Sequence, residues 1–459
     1  MIKHLSTLAT SVCCCLPSWA GDLQSELIYL RDNHPMLRAT TFAVTASEKR
    51  YTAAKAGWLP KVDVAAERGP EKITTVPYAA GKPSPTPSDT DLIRHKQSLT
   101  VTQNVFNGGR TLATTGVARI ERDIKQAERS AISQEVLLEA IVAYLQVLKN
   151  QLLISLSEIN EDTTQRQLEM EKKRVDRGGG VIVDELQAST RLQLVRERRV
   201  LYEQGMRDAV SNYEQVFGKL PELSEFQNIE IMTGKLPTTV EEAMDDAEEF
   251  NPRIQSAKMA SERAYRMISL ENSGFMPNVD VVGTRNREND AGQLYRKEED
   301  SVLVKLSWNL FAGRETVSRA QAAAYDFREA AEKEKNVSNK TREAVRVAWN
   351  QYKKGLERLE LLETAVKTSQ GVMQGRKKLR DAGKETALAV LDAEVEHFGL
   401  LANKVNATID AAMGSYRLLS TVGRLDIGML GLDEGQLEIP VQPIDLAIKA
   451  LVGDQLLTR

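Results

Sequence analysis

Histidine and cysteine often supply metal ligands and nucleophiles, and this chain of 459 residues has few of either. The four histidines are His4, His34, His95 and His397. No two of them have the spacing typical of metal ligands. The three cysteines are consecutive near the N-terminus: Cys13, Cys14 and Cys15. We therefore expect no metal and no cofactor, and the sequence offers no pair of nucleophile and base that would support catalysis.

A run of glycines is the second feature that could carry chemistry. Gly178, Gly179 and Gly180 lack the lysine and the serine or threonine of a phosphate-binding loop, and they follow a helical pattern instead of a strand. The sequence instead predicts that they form the bend of a helical hairpin. Gly383 forms a second bend and has fewer glycines around it.

The two bends belong to an internal duplication. The stretch 104–220 recurs as 309–425 at a constant offset of 205, without insertions. The identical pairs include Asn104/Asn309, Phe106/Phe311, Gly108/Gly313, Gly178/Gly383, Leu186/Leu391 and Gly218/Gly423. The first helical pattern, Gly109 to Val175, has 67 residues, which corresponds to a helix about 100 Å long. This indicates one elongated architecture with two similar halves.

Four segments ahead of the hairpins change to a period of two, which is typical of strands. Apolar residues alternate with polar ones around Val62, Leu99, Val279 and Val302, over roughly ten residues each. Half-buried strands of a soluble sheet are the commoner explanation of such a pattern. Three observations favour a membrane: the strands are long enough to cross it, a secretory signal precedes them, and no amphipathic helix remains to cover the sheet.

The N-terminus has the features of a secretory signal, with Lys3 before an apolar stretch and Ala20 before Gly21. A membrane anchor would need a longer apolar run. Lipid attachment to Cys13 is disfavoured because Val12 precedes it, where a small residue is expected. No later segment approaches 18 uncharged apolar residues.

The net charge of −3, with 27% charged residues, argues against a nucleic-acid partner.

Four strands cannot close a barrel, and open strand edges in lipid leave backbone groups unpaired. The smallest closed barrels have eight strands and a filled interior, so two copies would leave no passage. Three copies would supply twelve strands and an aqueous lumen. We therefore expect a homotrimer in outer-membrane lipid. Phe106 and Phe311, at matching strand ends, would belong to an aromatic girdle at the membrane boundary.

The order of motifs resembles the TolC family of outer-membrane exit ducts. Asn33-His34-Pro35 opens the first half and Asn251-Pro252 the second, and Leu59-Pro60 and Met276-Pro277 precede the strands. Asn-x-Phe-x-Gly follows at 104–108 and 309–313, and Val-Leu-Asp-Ala at 390–393 comes after the second bend. The resemblance covers about 22–425.

The resemblance implies a mostly α fold with a small membrane β-barrel contribution, in which a trimeric twelve-stranded barrel continues into an α-helical tunnel in the periplasm. The predicted divisions are a signal peptide, 1–20; a first repeat, 21–220, with strand pair 58–106 and hairpin 108–218; an equatorial connector, 221–240; a second repeat, 241–425, with strand pair 275–311 and hairpin 313–423; and a tail, 426–459, that is equatorial or partly disordered. The implied partners are a periplasmic adaptor (membrane fusion) protein and an inner-membrane ABC or RND transporter.

In that family, hydrogen bonds and salt bridges between neighbouring hairpins close the periplasmic entrance, and acidic residues ring the constriction. Asp184, six residues after Gly178, matches the acid of the first repeat. In the second repeat the family often has two aspartates, where this chain has Ala389 and Asp392. Half of that ring is therefore missing.

Two further positions depart from the family pattern. Arg380 stands where an aromatic residue is frequent, and Glu385 where a basic one is common. We predict that Asp184 pairs with Arg380 across the closed entrance, and that Glu185 and Asp392 add negative charge to the lumen. The alternative is that all of these are ordinary solvated charges near a turn.

Three functions are compatible with this sequence. The first choice is the outer-membrane duct of type I protein secretion, because we expect this chain to lack a lipid-bearing cysteine. In the family such a cysteine is commoner among dedicated drug and metal ducts. The second is the duct of a multidrug or solvent efflux pump. A periplasmic coiled-coil scaffold without a channel is the contrasting class, but it leaves the four alternating segments unexplained.

Overall fold

The computed structural model describes residues 23–76, 78–79, 82–83, 88–223, 236–291 and 294–426. The predicted signal peptide, the tail after 426 and residues 224–235 of the predicted connector lie outside this range. The described chain is mostly helical with a small antiparallel sheet, which confirms the predicted fold class. The helices are α1 Leu23–Asn33, α2 Pro35–Lys55, α3 Arg110–Asp176, α4 Ile182–Phe217, α5 Val240–Phe250, α6 Pro252–Asn272, α7 Glu315–Asp381 and α8 Ala387–Val422.

The helix lengths follow the duplication. Helices α3 and α7 each contain 67 residues, and α4 and α8 each contain 36. Local sequence sets the helix starts: Pro252 is the first residue of α6, and the Asn251 side chain accepts a hydrogen bond from the backbone N–H of Arg253 at 2.9 Å. Gly218 and Gly423, both left-handed, end the return helices.

Strands β1 Lys61–Thr75, β4 Ser88–Phe106, β5 Asn278–Ala291 and β6 Leu294–Ser307 form one antiparallel sheet in the order β1-β4-β5-β6. Two-residue strands β2 Tyr78–Ala79 and β3 Lys82–Pro83 pair separately. The four main strands have 15, 19, 14 and 14 residues, so the predicted ten was too short. Charged residues occupy both faces of the outer halves, where hydropathy therefore shows no period of two.

The end of the second strand pair also differs from the prediction, which ran to Phe311. Strand β6 ends at Ser307, opposite Asn278, the first residue of β5. Pro277 lies immediately before Asn278 and has no N–H to donate to a longer ladder. Phe106 is the last residue of β4, whereas Phe311 lies in the connection to α7.

The sheet has two distinct faces. The apolar face carries valines and leucines that stay exposed in the described chain, among them Val64 at 76%, Val302 at 78% and Val304 at 73%. The polar face carries an ion-paired network in which Arg94 contacts Glu288 at 2.6 Å and Glu71 at 3.1 Å. No helix of the described chain packs extensively on this sheet.

The chain forms two compact units, and each takes segments from both sequence repeats. Of the described residues, those within 1–38, 133–244 and 345–459 form one unit, and those within 39–132 and 245–344 form the other. In the first unit, helices approach closely at small residues: a Cβ on Gly414 would lie 3.3 Å from the Cα of Tyr352. An 18-residue window of α3 has a hydropathy of 1.5, but 56% of it is buried, as in a core helix.

Gly108 and Gly313 occupy equivalent places in the repeats, with φ of +64° and +59°. A Cβ on Gly108 would lie 2.5 Å from the Cβ of Met276 and 2.8 Å from the carbonyl oxygen of Ser273, whereas one on Gly313 would meet nothing within 4 Å. Gly313→Ala should therefore cost only the left-handed strain, about 1–2 kcal/mol. Gly108→Ala should add about 1–3 kcal/mol of overlap. Thermal denaturation of the purified variants measures the stability that each one loses. Equal losses from Gly108→Ala and Gly313→Ala would contradict the predicted overlap at Gly108.

Candidate functional site

The hairpin bends are built by short hydrogen-bonded turns at the ends of α3 and α7. The N–H of Gly178 donates to the carbonyl of Val175 at 2.9 Å, and Gly178 has a φ of +71°. Gly383, with a φ of +73°, donates to Arg380 at 2.9 Å. These are the predicted bend positions, and left-handed glycines end helices in this way.

The glycines of the first bend have different roles. Of the three, only Gly178 has a positive φ. A Cβ on Gly180 would lie 3.0 Å from the backbone nitrogen of Val175, so glycine suits the close approach of the chain here. Helix α8 has a side-chain cap, because Thr386 Oγ1 accepts from the N–H of Ala389 at 3.2 Å, whereas Val181 before α4 gives no such bond.

The predicted entrance charges lie at the ends of the helices that meet the bends. Asp184 and Glu185, both half-buried, are in the first turn of α4, where negative charge is favoured by the helix dipole. Arg380 contacts its neighbour Asp381 at 2.9 Å, and Glu385 lies half-buried within the second bend. No ion pair joins Asp184 to Arg380 among the described residues, so that pairing stays a prediction about the assembled entrance.

Asp392 has a partner that sequence analysis did not identify. Its carboxylate accepts a hydrogen bond from the guanidinium of Arg191, so the pair joins α4 of the first hairpin to α8 of the second. The pair lies in an open groove of about 640 Å³. The apolar lining of the groove comes from Val183, Leu186, Leu194, Leu388 and Val395.

A buried polar cluster lies deeper between the hairpins, and sequence analysis missed it. The Glu394 carboxylate, whose side chain is 4% exposed, lies 2.7 Å from the Lys377 ammonium and accepts a hydrogen bond from the Gln167 amide. One turn later, His397 Nδ1 lies 2.8 Å from Ser369 Oγ. The cluster joins α3 to α7 and α8. Its only sequence signal is Glu394 and His397 three residues apart in an apolar stretch of α8.

His397 should make the stability of this cluster dependent on pH. Burial, and then the nearby Lys377 ammonium, lower its pKa below the ordinary value of 6.5. The unfolded chain therefore binds more protons than the folded chain between the two pKa values, so stability should fall as the pH drops below about 6.5. We expect His397→Gln to lose less thermal stability than the wild type between about pH 7.5 and pH 5.5. Equal losses would exclude His397 as the source.

The apolar face of the sheet is the second candidate site. Exposed aromatic rings lie at or near its helix-proximal strand ends: Trp58 at 56%, Phe106 at 47%, Trp308 at 55% and Phe311 at 80%. Trp308 Nε1 donates to the carbonyl of Phe275 at 3.0 Å, which fixes one ring beside the strand ends. Sequence analysis found only the two phenylalanines. The tryptophans could have been recognised because each lies within three residues of a strand end.

Comparison with known proteins gives concordant results. The family model described as outer membrane efflux protein matches residues 29–219 and 243–424. The chain is 21% identical over 432 residues to the outer membrane protein TolC of Vibrio cholerae, covering 92% of this chain and 93% of that protein. It is 24% identical over 318 residues to the alkaline protease secretion protein AprF of Pseudomonas aeruginosa, covering 67% and 64% respectively.

The fold is also found among solved structures. A structure described as the outer-membrane channel OprN superposes with a TM-score of 0.75 and 18% identity, covering 87% of this chain and 89% of that one. At this level of identity the match concerns the fold.

Proposed function

The chain belongs to the outer membrane efflux protein family and is an outer-membrane channel of the TolC type, not an enzyme; from this premise we propose that it is the exit duct of a type I protein secretion machine. AprF, a relative whose name states a secretion role, supports protein export. The duct of a multidrug or solvent efflux pump is the second candidate, because the matching family is named for efflux.

The observation that carries the channel, which the secretion duct and the efflux duct have in common, is the open four-stranded sheet with an exposed apolar face. Strands β1 and β6 are its edges, and their unpaired backbone groups need partners if the sheet lies in lipid. Three copies would supply twelve strands and close a barrel with an aqueous lumen. The polar face, with Arg94 and Glu288, would then line the lumen.

The helices also support assembly. Helix α4 carries a series of exposed large apolar side chains that a monomer in water would not favour. They are Ile182, Val183, Leu186, Leu194, Val200 and Leu201. In the proposed trimer, helices of a neighbouring chain cover this series and form the wall of a periplasmic tunnel. The adaptor protein and the inner-membrane ABC or RND transporter would then engage the tunnel from the periplasmic side.

The entrance should open when its predicted latch is removed. We propose that Asp184 pairs with Arg380 in the closed trimer, with Glu185 and Asp392 adding negative charge and Glu385 lying at the second bend. Three partly exposed pairs, at about 0.2–1 kcal/mol each, would hold a latch that an adaptor can open. Asp184→Ala/Arg380→Ala should therefore raise the single-channel conductance of the purified trimer.

A matched control for the latch is Asp162→Ala/Arg166→Ala, which removes an exposed ion pair within α3. We expect its conductance to equal that of the wild type. If the double variant at Asp184 and Arg380 also conducts like the wild type, the latch does not exist, whereas the channel proposal is unaffected.

Cargo is tested by disrupting the gene. The secretion proposal expects the loss of at least one secreted protein from the culture medium, restored by the wild-type gene. The efflux alternative expects increased sensitivity to toxic compounds with secreted proteins unchanged. If the protein is a scaffold without a channel, cell fractionation should find it in the soluble periplasmic fraction. Purified protein that shows no conductance in a planar bilayer would exclude both kinds of duct.

A further inference from the structure

The apolar face of the sheet changes character along the strands. On β6 it carries Leu306, Val304 and Val302, and then Asp300 and Glu298. From Trp308 at the girdle to Asp300 is eight residues, or about 27 Å along the strand. With the tilt usual for membrane barrels this becomes about 21 Å, close to the apolar band of about 25 Å. Asp300 and its neighbours therefore lie at the outer boundary of the hydrocarbon.

Strand register shows which residues share that boundary. Leu99 on β4 pairs with Arg285 on β5, which pairs with Asp300 on β6. Two residues farther out, Arg287 pairs with Glu298. These positions are on the same face as the exposed valines, so they point toward the surrounding membrane and not into the lumen.

The next row farther out on this face is formed by four cross-strand neighbours: Arg68, His95, Asn289 and Arg296. It contains no acidic residue. Arg68 makes no ion pair within the described chain, and it is exposed. The three rows together carry four arginines against two carboxylates.

We propose that these rows bind the phosphorylated headgroups of lipids in the outer leaflet; the proposal rests on the proposed function, because it requires the barrel. The outer-lipid surface is defined here as Arg68, Arg285, Arg287 and Arg296. A guanidinium has five N–H donors arranged to fit phosphate oxygens, and a cation just outside the hydrocarbon is attracted to anionic headgroups.

The two acidic residues do not block such binding. Arg285 and Asp300 are 3.6 Å apart, and Glu298 lies 3.2 Å from Arg287 and 3.9 Å from Arg296; all of these side chains are largely exposed. Exposed ion pairs of this kind are weak, and each guanidinium keeps donors free for a phosphate. The surface therefore keeps an excess of positive charge at headgroup depth.

The test compares lipid retained by the full-length trimer purified in mild detergent. The readout is lipid phosphorus per chain after adding lipopolysaccharide, with phosphatidylcholine, whose zwitterionic headgroup has no net charge, as the comparison lipid. We expect Arg68→Gln/Arg285→Gln/Arg287→Gln to retain about tenfold less lipopolysaccharide than the wild type. Retention should also fall with added salt, because salt screens charges. Phosphatidylcholine retention should not change.

Two control variants make the result specific. Arg68→Lys/Arg285→Lys/Arg287→Lys keeps the charges and should retain about half or more of the lipid. Lys96→Gln/Lys297→Gln/Lys305→Gln removes three cations from the polar face and should retain all of it. Equal retention by the neutral variant and the wild type, or equal loss in the polar-face variant, would overturn the proposal.

Conductance of each purified trimer in a planar bilayer separates this inference from the proposed function. A wild type that forms no channel refutes both. A conducting wild type whose neutral variant keeps its lipopolysaccharide refutes only the outer-lipid surface. A variant trimer that conducts like the wild type but has lost the lipid supports it, because conduction shows that the barrel has assembled.

Discussion

Replacing Lys377 with methionine should lower the free energy of unfolding by about 2–3 kcal/mol and raise the conductance of the closed channel. The reason is the burial of Glu394, whose side chain is 4% exposed while that of Lys377 is 38% exposed. Without the ammonium, the buried carboxylate keeps only the hydrogen bond from the Gln167 amide. The estimate is below that for a fully buried pair because Lys377 is partly solvated.

Replacing the other member of the ion pair should lower the free energy of unfolding by less. Glu394→Gln leaves an uncharged side chain in the buried position, and the Lys377 ammonium can reach water along its flexible stem. We expect a loss of about 1 kcal/mol, and the double variant Lys377→Met/Glu394→Gln should be more stable than Lys377→Met alone.

Loss of the cluster should also open the channel. Gln167 belongs to α3 and Glu394 to α8, so the cluster holds the first hairpin to the second. Thermal denaturation and single-channel recording on the same preparations measure both effects. If Lys377→Met and Glu394→Gln destabilise the protein equally, the buried carboxylate is not the source, and unchanged conductance would show that the cluster is structural only.

Sequence alone predicted the features that depend on repetition and backbone freedom. The 67-residue helix was predicted to within one residue, because the duplication and the glycines at 178 and 383 mark its end in both repeats. Strand lengths were underestimated, since the outer halves carry charges on both faces and hydropathy shows no alternation there. The buried cluster could not be predicted, because nothing in the sequence of α8 indicates that Glu394 faces Gln167, 227 residues away.

At the periplasmic entrance, the sequence predicted the positions of charged residues but not their contacts. Position relative to Gly178 and Gly383 was sufficient to place Asp184 in the first turn of α4 and Arg380 in the last turn of α7. It did not reveal that Asp392 contacts Arg191, since the pairing of distant helices depends on their rotation about their own axes. Contacts between helices are therefore less predictable from one sequence than the helices themselves.

Arginine at Val304 should abolish assembly in the outer membrane, whereas arginine at the adjacent Leu303 should be tolerated. Both side chains are apolar and exposed in the single chain, 73% and 60% respectively. Val304 pairs with Val281 on the apolar face, and Leu303 pairs with Val282 on the polar face. Val304 also lies midway between Trp308 and Asp300, so it is near the centre of the predicted hydrocarbon band.

An arginine on the lipid side at that depth costs about 2–4 kcal/mol in each chain, while one on the lumen side meets water. We therefore expect Val304→Arg to lose the trimer from the outer-membrane fraction and Leu303→Arg to keep it. A soluble sheet would treat the two arginines alike, because both positions would face water in the absence of lipid. Similar amounts of trimer from both variants would therefore refute the barrel, since the prediction depends only on which face of one strand meets the membrane.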